Sequence, residues 1–226
     1  MAARPVALIT GASRGIGAAV AAALAGSHDL LLGGRDETAL AEVAATLPAA
    51  RPWPVELTDQ VAVEAAAASV TRLDVLVHSA GIARLGGLGD LSAADWRDSF
   101  EVNVVAVAEL TRLLLPALRA AAGHVVLINS GSGLKANPRW GAYAASKFAL
   151  RAYADVLRAE EPGLRVTSVH PGRTATDMQR AVREFEAGEF EPDKYMSSAS
   201  VAALVHAAIT TPPDAHVHEV VIRQRP

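Results

Sequence analysis

A tyrosine, a lysine and a serine stand at spacings that suit proton transfer. Tyr143 and Lys147 are four residues apart in a stretch predicted as helix, which sets them on one face, one turn apart. An ammonium beside a phenol favours the phenolate. At about 5 Å and an effective dielectric of about 20, the attraction is roughly 3 kcal/mol, which brings a phenol from about 10 towards about 8. An acid in that range works well near neutral pH. Ser130 closes an apolar run thirteen residues before Tyr143.

A second constellation could hold phosphate. The first apolar run leads straight into Thr10-Gly11-Ala12-Ser13-Arg14-Gly15-Ile16-Gly17, and a helical stretch follows. Glycines in such a turn allow unusual backbone angles and close approach of a ligand. The helix start then offers unpaired N–H groups and the positive end of its dipole to a pyrophosphate. In sheets of this type, the end of the second strand meets the adenosine ribose; an acidic residue there binds the 2′-hydroxyl, and a nearby Arg accepts a 2′-phosphate. Here that position is Gly34, Arg35 follows it, and Arg14 is a second cation. Two cations and no carboxylate favour NADP(H).

The elements that must position these groups alternate. Short apolar runs at 6–9, 30–32, 75–77, 125–128, 166–169 and 217–222 read as buried strands, with a weaker seventh at 54–57. Ala-rich stretches at 16–25, 37–47, 61–72, 93–121, 143–160 and 199–209 read as helices. Such alternation argues an α/β fold, a doubly wound parallel sheet of about seven strands with helices on both faces. Ser92 and Asp36 are placed to cap helices, and Pro116 should bend or break the long 93–121 helix. The least periodic long stretch, 174–198, looks like a mobile insert of the kind that forms lids.

Composition sets bounds. The 226 residues suit one domain, 1–226, and 51% of them are hydrophobic, as expected for a globular protein. A net charge of -3 with scattered Arg argues against a nucleic-acid surface. The chain has no cysteine, so no disulfide, thiol nucleophile or Cys-ligated metal is possible. With no signal-peptide pattern and no apolar run near the roughly 20 residues that span a bilayer, the expectation is a cytoplasmic protein without a membrane segment.

The spacing Gly11-x-x-x-Gly15-x-Gly17 after Thr10, together with Ser130 and Tyr143-x-x-x-Lys147, resembles the short-chain dehydrogenase/reductase family over nearly the whole chain. The resemblance implies a Rossmann-type fold and hydride transfer between a nicotinamide cofactor and a ketone, aldehyde or alcohol. It implies that Tyr143 donates the proton, Ser130 orients the carbonyl, Lys147 also binds the nicotinamide ribose, and Asn103 holds a linking water. Cofactor contacts are implied for Gly11, Ser13, Arg14, Gly15, Ile16, Gly17, Arg35, Tyr143 and Lys147. They are implied also for Glu56-Leu57, Ser79-Ala80-Gly81, Pro171-Gly172, Thr174 and Thr176. Departures are His78-Ser79 in place of two amides, Glu56 in place of an Asp, and Ser132 as a rival of Ser130, which spacing favours.

Other readings of the same fold weigh less. A silent NADP(H)-binding sensor or scaffold is the alternative function, and the intact Ser130, Tyr143 and Lys147 speak against it. Epimerising and dehydrating relatives are longer, and enoyl reductases space their Tyr and Lys more widely. His216 and His218 have strand spacing, but with no third ligand they read as half-exposed strand histidines and no metal is expected. Specificity is expected from 84–90, 134–140 and 174–198. Almost nothing follows the last strand, so any contact that the family makes through a C-terminal extension is expected to be missing. The resemblance implies a homodimer or homotetramer, paired through the long helix and the Tyr143 helix, acting on a small molecule; Ala142, Ala145, Ala149 and Ala152 permit close packing there or equally face the sheet.

Overall fold

Each strand of the sheet sends alternate side chains to opposite faces, and both faces are apolar. On β1 (Val6–Thr10), Ala7 and Ile9 join one buried cluster and Leu8 the other. On β5 (His124–Ile128), Val126 and Ile128 lie on the first face, and Val125 and Leu127 on the second. A strand buried on both faces belongs in a parallel sheet covered by helices on each side. The computed structural model, which describes residues 3–225, has that architecture.

The remaining strands are β2 (Asp29–Gly34), β3 (Ala50–Pro54), β4 (Val75–His78), β6 (Arg165–Pro171) and β7 (Glu219–Ile222). All pair in parallel in the order β3-β2-β1-β4-β5-β6-β7. The helices are α1 (Gly15–Leu24), α2 (Glu37–Ala45), α3 (Gln60–Ala68), α4 (Ala93–Phe100), α5 (Ala106–Ala120), α6 (Gly141–Glu160), α7 (Asp177–Phe185) and α8 (Ser198–Ile209). α1 and α8 pack against the first face, and α3, α5 and α6 against the second. The order reverses between β1 and β4, the switch point where doubly wound sheets open a crevice. No helix of the described residues is long and apolar enough to cross a membrane.

Four sequence expectations need correction. The seventh strand is 50–54, not 54–57. It is an edge strand, where Pro52 and Pro54 leave no ladder bond unmade, and Trp53 anchors it in the core. The long 93–121 helix is interrupted at Glu101–Val105 by a π turn, while α5 runs on through Pro116. Pro116 faces solvent, where the carbonyl that loses its partner can be hydrated. The last strand starts at Glu219 rather than 217, because the His216 ring takes over the edge of β6: its Nε2 accepts from the Val166 N–H at 2.7 Å. His216 and His218 therefore precede the strand, with rings 4.5 Å apart and edge-on. Finally, 174–198 is not aperiodic throughout, since α7 occupies Asp177–Phe185 with a Thr176 cap.

Candidate active site

The turn after β1 is built from close approaches only glycine permits. Gly11 and Gly15 have φ of +65° and +58°. A Cβ on Gly17 would lie 2.2 Å from the Gly11 carbonyl oxygen, and one on Gly11 would lie 2.9 Å from the Ala80 backbone. Thr10 ties this turn across the switch point: its Oγ1 accepts from the Ser79 and Ala80 N–H groups, each at 3.1 Å. Five other helices are capped by a side chain: α2 by Asp36, α3 by Asp59, α4 by Ser92, α7 by Thr176 and α8 by Ser197. α1 has no side-chain cap and no acid in its first turn. Its N–H groups and positive dipole end are left for an anion, and the cradle fits a pyrophosphate.

The ribose end is equally open. A Cβ on Gly34 would touch only Leu40, so the space beyond β2 holds no carboxylate from that position. Arg35 and Arg14 both border the cleft, each facing an acid: Glu56 at 3.5 Å from Arg35 and Asp177 at 3.3 Å from Arg14. Both pairs are exposed and worth less than about 1 kcal/mol. Glu56 is turned towards Arg35 and Thr58.

At the other rim, Ser130 follows β5 and Tyr143 lies in the first turn of α6. Tyr143 and Ser130 stand together at this rim, where the Ser130 hydroxyl favours the ionised phenol, and Ser130 Oγ accepts from the Ser132 N–H at 3.0 Å. Ser130, not Ser132, is thus the hydroxyl against the phenol. Burial pushes Tyr143 up, and the Ser130 bond pulls it down by less. Lys147 is buried too, which drops it to about 8; its Nζ donates to the Ile128 carbonyl at 3.0 Å and lies 5.9 Å from the Tyr143 ring centre. The phenol is therefore shifted up rather than towards 8, because desolvation is the largest influence on it, as it is on Lys147. Gly133 makes this corner possible, because a Cβ there would sit 2.8 Å from the Lys147 carbonyl oxygen.

The glycine turn, the ribose end and the Ser130–Tyr143–Lys147 corner open into one cleft of about 1040 Å³. It takes in Gly11, Ser13, Arg14, Gly15, Ile16, Gly17, Arg35, Glu56, Leu57, Ser79, Ala80, Gly81, Ser130, Tyr143, Lys147, Pro171, Gly172, Thr174 and Thr176. Asn103 alone among the expected residues stands behind the wall. It is fully buried in the π turn, with Nδ2 donating to Ile82 O at 2.9 Å and Ser146 Oγ at 3.0 Å, and Oδ1 accepting from Ile82 N–H at 3.0 Å. His78 also turns inward. Its Nε2 bonds Thr111 at 2.9 Å, and burial drops it to about 3, so it stays neutral.

The profile of the short-chain dehydrogenase family matches residues 5–187. The chain belongs to that family. As a short-chain dehydrogenase it is an oxidoreductase of CH–OH and C=O groups. It is 35% identical over 237 residues to glycine betaine reductase ATRR of Emericella nidulans, covering 97% of this chain but only 19% of that protein. It is 36% identical to the uncharacterized oxidoreductase YciK of Escherichia coli, over 87% of this chain and 82% of the other. Among solved structures, an alcohol dehydrogenase from Thermococcus sibiricus complexed with 5-hydroxy-NADP superposes with a TM-score of 0.90 at 28% identity, covering 98% of each chain. An actinorhodin polyketide ketoreductase variant with NADPH gives 0.90 at 26% identity, over 99% of this chain and 98% of the other.

Sequence reasoning missed several residues of this short-chain dehydrogenase cleft. Val55, Val102 and Arg223 line it without having been expected there, while Lys135, Asn137 and Gln179 line it from the two segments expected to set specificity. The signal for Arg223 was available: it is the first residue after β7, so it must emerge at the same rim as Ser130 and Gly172. Trp140, at the end of the 134–140 segment expected to set specificity, lines the cleft and packs edge-on against Tyr143 at 5.8 Å between ring centres.

Proposed function

We propose that this chain is an NADP(H)-dependent carbonyl reductase. One observation carries the reading: Tyr143 and Ser130 together line the same cleft that begins at the glycine turn under α1. When bound, the reduced nicotinamide supplies a hydride for the carbonyl carbon. Tyr143 gives its proton to the carbonyl oxygen, and Ser130 fixes that oxygen between itself and the phenol. With its pKa raised, Tyr143 holds the proton throughout the neutral range, as reduction requires. The Lys147 ammonium offsets the negative charge as the phenol lets go. Asn103 holds the π turn and Ile82 in place beside Lys147 and Gly81.

NADP(H) rather than NAD(H) is supported by the open position at Gly34, by Arg35 and Arg14, and by the NADP-type ligands of the two solved relatives. The segment 174–198 serves as a substrate lid, hinged where Ala175 N–H meets Met196 O at 2.7 Å and braced by Arg173 and Arg183 on Glu186. Arg139, at φ +67°, lays its guanidinium 4.2 Å from the Phe185 ring and joins the lid to the loop before Trp140. Exposed Val105, Phe148 and Val156 support self-association through α5 and α6. Of the alanines expected there, Ala142 is buried inside the subunit, while Ala152 is exposed.

Mixing the protein with NADPH and a panel of ketones, aldehydes and diketones tests the reading by loss of cofactor absorbance. Tyr143→Phe should lower kcat by about 10³-fold or more while leaving NADPH affinity within a factor of about two. A variant that keeps its rate overturns the assignment.

A further inference from the structure

Building on the carbonyl-reductase reading, we propose that Arg223 binds a carboxylate carried by the substrate, so that the enzyme acts on keto acids. Arg223 stands level with Gly172, since β6 and β7 pair Pro171 with Ile222 and the Gly172 N–H donates to Ile222 O at 2.8 Å. Its guanidinium is seated, not loose. Nη1 donates to the His170 carbonyl at 2.9 Å and to the Ile222 carbonyl at 3.0 Å.

Two glycines clear the seat. A Cβ on Gly131 would lie 3.0 Å from Nη2, and one on Gly172 would lie 3.2 Å from Cδ. Gly131 adjoins Ser130, so the guanidinium is held beside the residue that orients the carbonyl. With Nη1 occupied by backbone, the Nε and Nη2 donors have no protein acceptor among the described residues, and that edge is the fork that grips a carboxylate.

Charge around the cleft supports the same ligand. Its acids are already matched: Glu56 with Arg35, Asp177 with Arg14, Glu186 with Arg173. Arg223 and Lys135 border the cleft with no carboxylate within 4 Å among the described residues. The cofactor's 2′-phosphate does not account for Arg223. Arg35 follows β2 and Arg223 follows β7, five strands away, or about 24 Å at the usual spacing between strands. A neutral ketone would leave this cation facing water; an acid would use it.

The test uses keto acids whose carboxylate lies one, two or three carbons from the carbonyl, each beside its methyl ester, with NADPH. For at least one chain length, kcat/KM should favour the acid over the ester by about 10- to 100-fold, chiefly through KM. Arg223→Gln should collapse that acid-to-ester ratio towards one, Arg223→Lys should restore part of it, and the NADPH dissociation constant should stay unchanged. Esters turned over as well as acids by the wild type overturn the proposal, as does an Arg223→Gln loss shared equally by both, or one seen only in NADPH binding. If no carbonyl is reduced at all, the reductase reading itself fails. Calorimetric titration of the keto acids then decides the Arg223 site alone: binding lost in Arg223→Gln supports it, and no wild-type binding overturns it.

Discussion

The two ends of the cleft carry positive charge in opposite ways. At the adenosine end, Arg14 and Arg35 each sit against an exposed acid. At the reactive end, Arg223 is fixed by backbone carbonyls and has no acid partner among the described residues. The pairs at the first end are surface pairs of small worth, which a phosphate with more charge and more acceptors can displace. Between the two ends lies the glycine turn, which offers the ligand the backbone N–H groups at the start of α1. The difference teaches that a single cleft uses adaptable side chains where the ligand is large and flexible, and fixed ones where an atom must be held in place.

Breaking the backbone part gives the largest effect. Gly17→Ala puts a Cβ 2.2 Å from the Gly11 carbonyl oxygen, closer than any real contact allows. Either the turn shifts or α1 does, and the N–H cradle is lost. NADPH affinity should fall more than 100-fold by fluorescence titration, with a lower melting temperature. Gly26→Ala, where a Cβ meets nothing within 4 Å, is the control and should bind normally.

The same contrast explains what was legible in the sequence. The glycine turn, the strand alternation and the Tyr143–Lys147 spacing are local, so pattern and geometry coincide. The π turn at Glu101–Val105 left no mark, because its cause is tertiary: Asn103 is drawn inward to satisfy Ile82 and Ser146. Strand β3 was displaced by three or four residues, since Pro52 and Pro54 hide an edge strand that only Trp53 declares. In α7, Met178, Ala181, Val182 and Phe185 do recur at helical spacing, but nine residues with four charges hardly stand out from a loop. Arg223 was overlooked because its neighbours Gly131 and Gly172 are remote in sequence. Likewise, Tyr143 and Lys147 were found by spacing, yet the sign of the phenol's shift depends on burial, which spacing does not encode.

Lys147, midway along the cleft, sharpens the comparison through pH. Its folded pKa is depressed from 10.5 to about 8 by burial, and Tyr143 is raised. Reductive kcat/KM should be level below pH 8 and fall about tenfold per unit above it as the ammonium is lost, with Lys147→Met lacking that limb. Stability has the matching sign. The unfolded chain binds more protons than the folded one between about pH 8 and 10.5, so wild-type stability rises with pH across that window. The full depression corresponds to about 3 kcal/mol. Lys147→Met should therefore be the more stable protein below pH 8, by about 2 kcal/mol once the hydrogen bond to the Ile128 carbonyl is subtracted, and should lose that advantage by pH 10.5. Denaturant titrations at pH 7 and pH 10.5 measure both values.

The smallest effect tests the adenosine end itself. If Glu56 competes with a 2′-phosphate for Arg35, removing its charge frees the guanidinium without touching the cofactor site otherwise. Their separation of 3.5 Å and their exposure limit the pair to a fraction of 1 kcal/mol. Glu56→Gln should therefore tighten NADPH by no more than about fivefold and leave NADH unchanged, while Arg35→Ala weakens NADPH by about tenfold, again sparing NADH. The two variants together separate competition from contact. Should Glu56→Gln weaken both cofactors alike, Glu56 is holding the adenosine rather than restraining Arg35. The two ends of the cleft would then differ in how they use their acids, and not only in how they hold their cations.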